Sequence, residues 1–402
     1  MNDHHPPPAR SGPGGTTAPG AAPAGGTRRA GVPAGPEHEV DGRGASGREA
    51  AVLERIEDFR RRRPRLRDEV VTLAHGAGGK ASAALVDAVF VEAFGDPGGA
   101  PLTDAAVLEL PTGGRIAFTT DSFVVQPLRF PGGSIGHLAV HGTVNDLAVM
   151  GAVPAWVSSA FVIEEGFPVD ELRAVVADMA AAAAAAGVVI VTGDTKVVDR
   201  GAADGLYITT AGVGWVPAGR RLLAELVRPG DRVLVSGTIG DHGMAVMLAR
   251  GDLELEAELS SDTAALGGLV AALLDAAPAT RWMRDPTRGG VGTVCNELAR
   301  DADVAVVLDE PALPVKLSVT GACDLLGIDP LYVANEGKLV AVVAPDEADA
   351  ALQALRAHPL GRDAADIGEI QDDPPGIVVL RTTFGGTRIV DMLVGDPLPR
   401  IC

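Results

Sequence analysis

The chain has 402 residues, 47% of them hydrophobic and only 3% aromatic, with a formal net charge of −19. That length gives room for two or three domains with ample core, and the acidic balance argues against nucleic acid or an anionic membrane as the main partner. Three widely spaced cysteines argue against a disulfide framework and suit a reducing cytosol, and no apolar run approaches the roughly 18 residues of a membrane span.

Residues 1–69 read as a leader and linker. Up to about Ala45 the segment is rich in Pro, Gly and Ala, and nearly free of large apolar side chains. It cannot bury enough surface to offset the entropy of ordering. Arg60-Arg61-Arg62-Arg63-Pro64-Arg65 is a solvated basic run. Periodic structure is expected from Val70, with a strand to Leu73, the glycine-rich turn His75-Gly76-Ala77-Gly78-Gly79-Lys80, and a helix over Ala81–Phe94. A buried strand at Ile116–Thr120, a helix over Ser134–Met150 and a strand at Ala155–Ile163 follow. A helix over Pro168–Ala186, with proline at its start, precedes strands at Val188–Thr192 and Leu206–Val213. Pro217–Pro229 reads as a boundary. Beyond it, strands are expected at Arg232–Ser236, Val304–Leu308, Leu339–Val343, Asp366–Glu369 and Ile377–Leu380, and helices at Gly243–Ala249, Asp262–Ala276 and Gly289–Ala299. Two α/β halves of similar size emerge, without a detectable repeat; the pattern allows α/β or α+β mixing.

Polar groups gather where these elements begin or end. Gly78 and Gly79 expose backbone amides ahead of a helix, which suits phosphate or simply a loop; the Gly-Lys-Ser/Thr spacing of a Walker loop is absent. Asp104 and Asp121 flank strands and are candidate Mg²⁺ ligands or caps. Asn145-Asp146 lies inside an apolar helix, where a buried carboxylate needs a cation or must face solvent. Asp194 and Lys196, either side of Thr195, share one face of an extended chain, as a nucleotide-site pair or a surface ion pair. Arg284-Asp285-Pro286-Thr287-Arg288-Gly289-Gly290 opens a helix, and Glu336 precedes an apolar strand. Many carboxylates at element ends, with glycine loops and few aromatics, point to Mg-nucleotide binding.

The chain ends Pro397-Leu398-Pro399-Arg400-Ile401-Cys402. Two prolines stiffen this arm. Extended chain covers about 3.3 Å per residue, so the segment from Gly395 can carry the terminal thiol roughly 25 Å. Such a thiol is expected to swing between sites rather than pack in a core.

These segments together resemble the HypE family of hydrogenase maturation factors, in the superfamily of aminoimidazole ribonucleotide synthetase and selenophosphate synthetase. The resemblance is carried by His75-Gly76-x-Gly78-Gly79, Thr120-Asp121-Ser122, Phe130-Pro131-Gly132-Gly133, Asn145-Asp146, Thr192-Gly193-Asp194-Thr195-Lys196 and Gly240-Asp241-His242-Gly243. Thr287-Arg288-Gly289-Gly290, Ala334-Asn335-Glu336-Gly337-Lys338 and the final Pro399-Arg400-Ile401-Cys402 complete it. It spans about Val70 to Cys402, and the terminal tetrapeptide is its most specific part.

The resemblance implies a two-domain, PurM-like α/β (α+β mixed) fold. An ATP-binding and dimerisation domain would occupy 70–217, a second domain 230–381, and a flexible tail 382–402. It further implies an ATP- and Mg²⁺-dependent, cytoplasmic carbamoyl dehydratase that acts on its own terminus. Asp104, Asp121, Asp146 and Asp285 would surround the metal. Gly78, Gly79, Asn145, Asp194, Thr195, Thr287 and Arg288 would line the nucleotide site, and Cys402, Lys196 and Glu336 would carry the chemistry. A carbamoyltransferase would load Cys402, an iron-scaffold complex would receive cyanide from it, and two chains would pair as a homodimer.

Overall fold

A computed structural model describes residues 66–94, 102–251, 258–393, 395, 398 and 400–402. The expectations for the leader up to residue 65, including the basic run, lie outside the described residues.

Two sheets organise the chain. The first contains β1 (Ala106–Glu109), β2 (Arg115–Phe123), β5 (Val153–Glu164), β6 (Val189–Val198) and β7 (Leu206–Val216), in the order β1-β2-β7-β5-β6. A short ribbon, β3 (Arg129–Phe130) and β4 (Gly133–Ser134), lies between β2 and β5 in sequence. Only β5 and β6 run parallel in this sheet. The second sheet has the order β14-β13-β10-β12-β8-β11-β9. Its strands are β8 (Arg232–Val235), β9 (Trp282–Arg284), β10 (Ala305–Asp309), β11 (Val340–Val343), β12 (Ala365–Gln371), β13 (Ile377–Arg381) and β14 (Thr387–Val390). There, β10 and β13 are the parallel pair.

Helices α1 (Ile135–Val149) and α2 (Val169–Ala186) belong to the first half. The second half holds α3 (Asp241–Ala249), α4 (Gly267–Ala276), α5 (Gly290–Ala302), α6 (Leu317–Leu326) and α7 (Ala348–Ala357). Helix α1 is buried on nearly every side. A helix apolar all round has no solvent face to offer and settles at the centre. It packs on α2 and on the β2–β7 face, and also touches α4 and β9 of the second half. Its polar residues are therefore held between the halves. By contrast, α2 follows the usual surface pattern: Val175, Met179, Ala182 and Ala183 face inward, and Gly187 closes it with φ +70°.

Some expected elements differ. Val70–Leu73 forms no strand. Leu73–Gly76 is a 3₁₀ turn, and Val70, Val71 and Leu73 are exposed. The His75 ring accepts from the Thr72 amide through Nδ1 at 3.0 Å, a local bond that competes with sheet pairing. The expected helix from Asp262 starts only at Gly267, because residues 261–264 are drawn into contacts with both halves. The Ser261 amide donates to the Pro131 carbonyl at 2.8 Å, and Asp262 accepts from the Glu336 amide at 3.1 Å. Strands β1, β9 and β14 and helices α6 and α7 are short or weakly patterned and were not among the expected elements.

Candidate functional site

Three carboxylates converge where the two halves meet. Asp104 precedes β1, Asp146 sits near the end of α1, and Asp285 follows β9 directly. One carboxylate oxygen from each lies within 4.8 Å of the others. Asp121 on β2 lines the same cavity, with Gly78, Arg284, Thr287, Arg288, Glu336 and Cys402. Positioning is local. The Thr119 hydroxyl, two residues before Asp121 on the same strand face, shares its proton between Asp146 Oδ2 and the Asp104 carbonyl, both at 2.7 Å. Arg284 donates through Nη1 to Asp104 Oδ1 at 2.6 Å and through Nη2 to the Leu102 carbonyl at 2.7 Å. The Thr287 hydroxyl donates to Asp285 Oδ2 at 2.9 Å.

These acids sit where ionisation is hard. Burial pushes Asp104 up to about 8, against the pull of Arg284, and Asp285 up to about 6. Burial, then the charges of Asp285, Asp121 and Asp104, hold Asp146 well above the usual carboxylate range. Asp121 is raised by burial as well. Asp104 Oδ2 is buried with no hydrogen-bond partner. Convergent carboxylates short of donors match the oxygen set of a hard divalent cation, so the residues fit such an ion.

Glu336 forms another wall. It is 3% exposed, and its Oε1 has no hydrogen-bond partner. Burial, then the charges of Asp285, Asp262 and Asp121, raise it well above the usual range, which favours the neutral acid. Its backbone is pinned from both ends: its amide donates to Asp262 Oδ1, and its carbonyl accepts from Asn145 Nδ2 at 3.2 Å. Gly337 next to it admits no side chain, since a Cβ there would sit 1.8 Å from the Asp262 carbonyl oxygen. Lys338 Nζ donates to Asp262 Oδ2 at 3.0 Å.

The tail is seated inward, and its end packs rather than standing clear of the core as expected. A main-chain carboxylate oxygen of Cys402 accepts from the Val124 amide at 3.1 Å, and the Arg400 carbonyl from the Gln126 amide at 3.3 Å. The Arg250 guanidinium also donates to the Arg400 carbonyl, and Arg400 pairs with Asp204. Ile401 is buried, and Cys402 packs half-buried against the same apolar cluster. A terminal cysteine can thus be a packing residue: the apolar Ile401 and Leu398 beside it draw it in.

Gly78, Asp104, Asp121, Asp146, Asp285, Thr287, Arg288, Glu336 and Cys402 therefore share one cavity. The remaining expected site residues lie elsewhere. Gly79 packs against the tail root, where a Cβ would meet the Leu393 carbonyl at 2.3 Å. Asn145 is buried, and its amide bonds the backbones of Ala264, Leu266 and Glu336. Asp194, Thr195 and Lys196 lie on β6, the edge strand, where Lys196 Nζ meets Asp194 Oδ2 at 2.6 Å with both side chains exposed. Arg284, Thr119, Asp262 and Lys338 were not among the expected site residues. Arg284 and Lys338 stand in the motifs read around Asp285 and Glu336, but without a role of their own.

Comparison with known proteins decides the family. The model described as AIR synthase related protein, N-terminal domain, matches residues 102–216, and its C-terminal counterpart matches 228–381. The carbamoyl dehydratase HypE of Rhodobacter capsulatus is 56% identical over 340 residues, 84% of this chain and 99% of that protein. The chain belongs to the HypE family. A HypE–HypF complex contains a chain with TM-score 0.73 and 48% identity, covering 77% of this chain and all of that one. HypE crystallised with ATP has TM-score 0.69 and 44% identity, covering 83% and 100%. The HypE family thus has the two-domain, PurM-like α/β architecture seen here, with both matched domains contributing to the carboxylate cavity.

Proposed function

We propose that this chain is an ATP-dependent carbamoyl dehydratase of NiFe-hydrogenase maturation and that its substrate is an S-carboxamide on its own Cys402. One observation carries the reading: Cys402 lines the same cavity as Asp121, Asp285 and Glu336. The relatives named as carbamoyl dehydratases and the ATP complex of a HypE support it.

An S-carboxamide becomes a nitrile by losing its oxygen and both N–H protons. Oxide leaves poorly, so the amide oxygen first takes the γ-phosphoryl group of ATP, releasing ADP; phosphate then departs as the C≡N bond forms. The sum is S-carboxamide plus ATP giving thiocyanate, ADP, phosphate and one proton. Arg288, which lines the cavity, would bind phosphate through its guanidinium. Asp104, Asp146 and Asp285, with Asp121 beside them, would hold Mg²⁺, which neutralises charge on a transferring phosphoryl group. Glu336 is the candidate to take the N–H proton, which it does in its ionised form. Burial of Ile401 and Glu336 keeps water from the carboxamide.

Lys196, Asp194 and Thr195 fit through a second chain. Val189, Val191 and Val197 leave β6 with an exposed apolar edge, a surface that pairs readily. A homodimer across it would cover these valines, with Lys196 orienting the carboxamide. A HypF-like carbamoyltransferase would load Cys402, and a HypC/HypD-like iron scaffold would accept the cyanide. Among the described residues no helix is long and apolar enough to cross a membrane, and we place the reaction in the cytoplasm.

Mass spectrometry of the C-terminal peptide tests the reading. With carbamoyl donor and carbamoyltransferase, Cys402 should gain the mass of a carbamoyl group; adding ATP and Mg²⁺ should then remove the mass of one water. A C-terminal peptide unchanged through both steps refutes it.

A further inference from the structure

Three main-chain oxygens close the tail, and two of them, on Arg400 and Cys402, take backbone amides from the 124–126 segment. The third, that of Ile401, lies 2.6 Å from His242 Nε2. His242 opens α3 within the Gly240-Asp241-His242-Gly243 motif, to which the proposed mechanism gives no task. The ring is fully buried. Phe130 meets it edge-on at 5.5 Å, and its Nδ1 is 2.8 Å from Ser261 Oγ.

The proton positions follow from the partners. A carbonyl can only accept, so Nε2 carries the hydrogen. The neutral ring then accepts at Nδ1 from the Ser261 hydroxyl, whose oxygen accepts from the Thr263 amide at 3.1 Å. Burial keeps this imidazole below its ordinary range, against the opposing charge of Asp262, which agrees with a single ring proton. The chain Thr263 N–H, Ser261 O–H, His242 N–H, Ile401 C=O therefore runs in one direction. A carbonyl buried without that donor would be costly. Arg400, one residue earlier, has φ +58°, a left-handed backbone that an arginine adopts only under constraint. Seating the end of the tail is thus opposed by strain at Arg400, and the Ile401 carbonyl between the two amide-bonded residues depends on His242.

We propose that His242 is the positioning residue that seats the C-terminal tail, by donating Nε2–H to the Ile401 carbonyl and so fixing Cys402 at the carboxylate cavity. The same loop joins seat and cavity: Ser261 orients His242, and Asp262, the next residue, holds the Glu336 backbone. The catalytic meaning rests on the proposed chemistry at Cys402, but the seating does not.

The test reads seating apart from turnover. Cys295 and Cys323 are buried, so iodoacetamide on the native full chain reports Cys402. His242→Phe keeps the ring and removes the N–H, and should raise the alkylation rate about tenfold, the size expected for one buried hydrogen bond. His242→Gln, whose amide retains a donor, should stay within about threefold of wild type on the same basis. Wild-type rates in His242→Phe overturn the proposal. If that variant misfolds, ¹⁵N-histidine NMR of the wild-type chain decides: the His242 Nε2–H signal should shift on deleting Ile401 and Cys402, and an unmoved signal overturns it. The mass shifts at Cys402 in wild type judge the dehydratase reading separately; fast alkylation with normal water loss in His242→Phe would spare that reading and remove a need for the seat.

Discussion

Arg284 at the end of the second sheet holds Asp104 at the margin of the first, Nη1 to Oδ1 at 2.6 Å, with both side chains 13% exposed. The bond fastens the two halves at the cavity wall and leaves the other Asp104 oxygen unpartnered. Removing one partner of a buried pair strands the other charge, at a cost of about 3 kcal/mol. Arg284→Ala should lower stability by that order in denaturant unfolding, while the double change Arg284→Met with Asp104→Leu should recover most of it. A single change within error of wild type would mean the pair does not join the halves.

Asp146→Asn separates catalysis from folding. The amide keeps the size of the acid and removes one of several mutually repelling groups, so stability without divalent cation should hold or rise. ATP turnover should fall at least about a hundredfold, as for loss of a charge-stabilising group in phosphoryl transfer. Calorimetry and phosphate release read the two effects. Unaltered turnover would remove Asp146 from the metal site.

Cys402→Ala should leave the melting temperature within a few degrees of wild type, since only one half-buried side chain is truncated. ATP-driven loss of water from the C-terminal peptide should vanish. Hydrogenase that matures normally in cells carrying only this variant would dismiss a thiol-borne carboxamide.

His141 makes an acid-side prediction. Burial, then the neighbouring His137, pushes its imidazole down to about 4 from 6.5. The folded state therefore resists a proton that the unfolded chain accepts. Stability should be complete above about pH 6.5 and fall towards pH 4, by about 3 kcal/mol at most for this one group. Denaturant midpoints across that window check it, and His141→Gln, which can still meet Thr263, should flatten the slope. The same slope in both proteins would assign the effect to other groups.

Val191→Glu on the edge strand should split the proposed homodimer, because a charge in a strand-edge interface is buried without a partner. Sedimentation should report the monomer and turnover should fall with it. A fully active monomer would show that Lys196 need not come from a second chain.

Much of the site was legible before folding because its residues sit at element ends. Asp121 follows the short apolar stretch Ile116–Phe118 and two threonines, Asp285 and Thr287 precede a pair of glycines, and Glu336 stands before an apolar strand. The main strands and α1 were legible for the same reason, through long apolar periods. Short elements such as β9 were not, since three residues carry no period. Val70–Leu73 misled because its apolar residues meet no neighbouring strand.

The local chemistry of this protein is written in its order of residues: acids at strand ends, glycine at close approaches, a thiol at the terminus. These depend on one neighbour or two, so a linear reading reaches them. Only the tertiary structure brought Asp104, Asp146 and Asp285 within 4.8 Å, buried Glu336 among other acids and set His242 against the tail. Each of those depends on burial and on distances between segments up to 191 residues apart, as for Asn145 and Glu336. Desolvation and charge repulsion arise only once the halves close together.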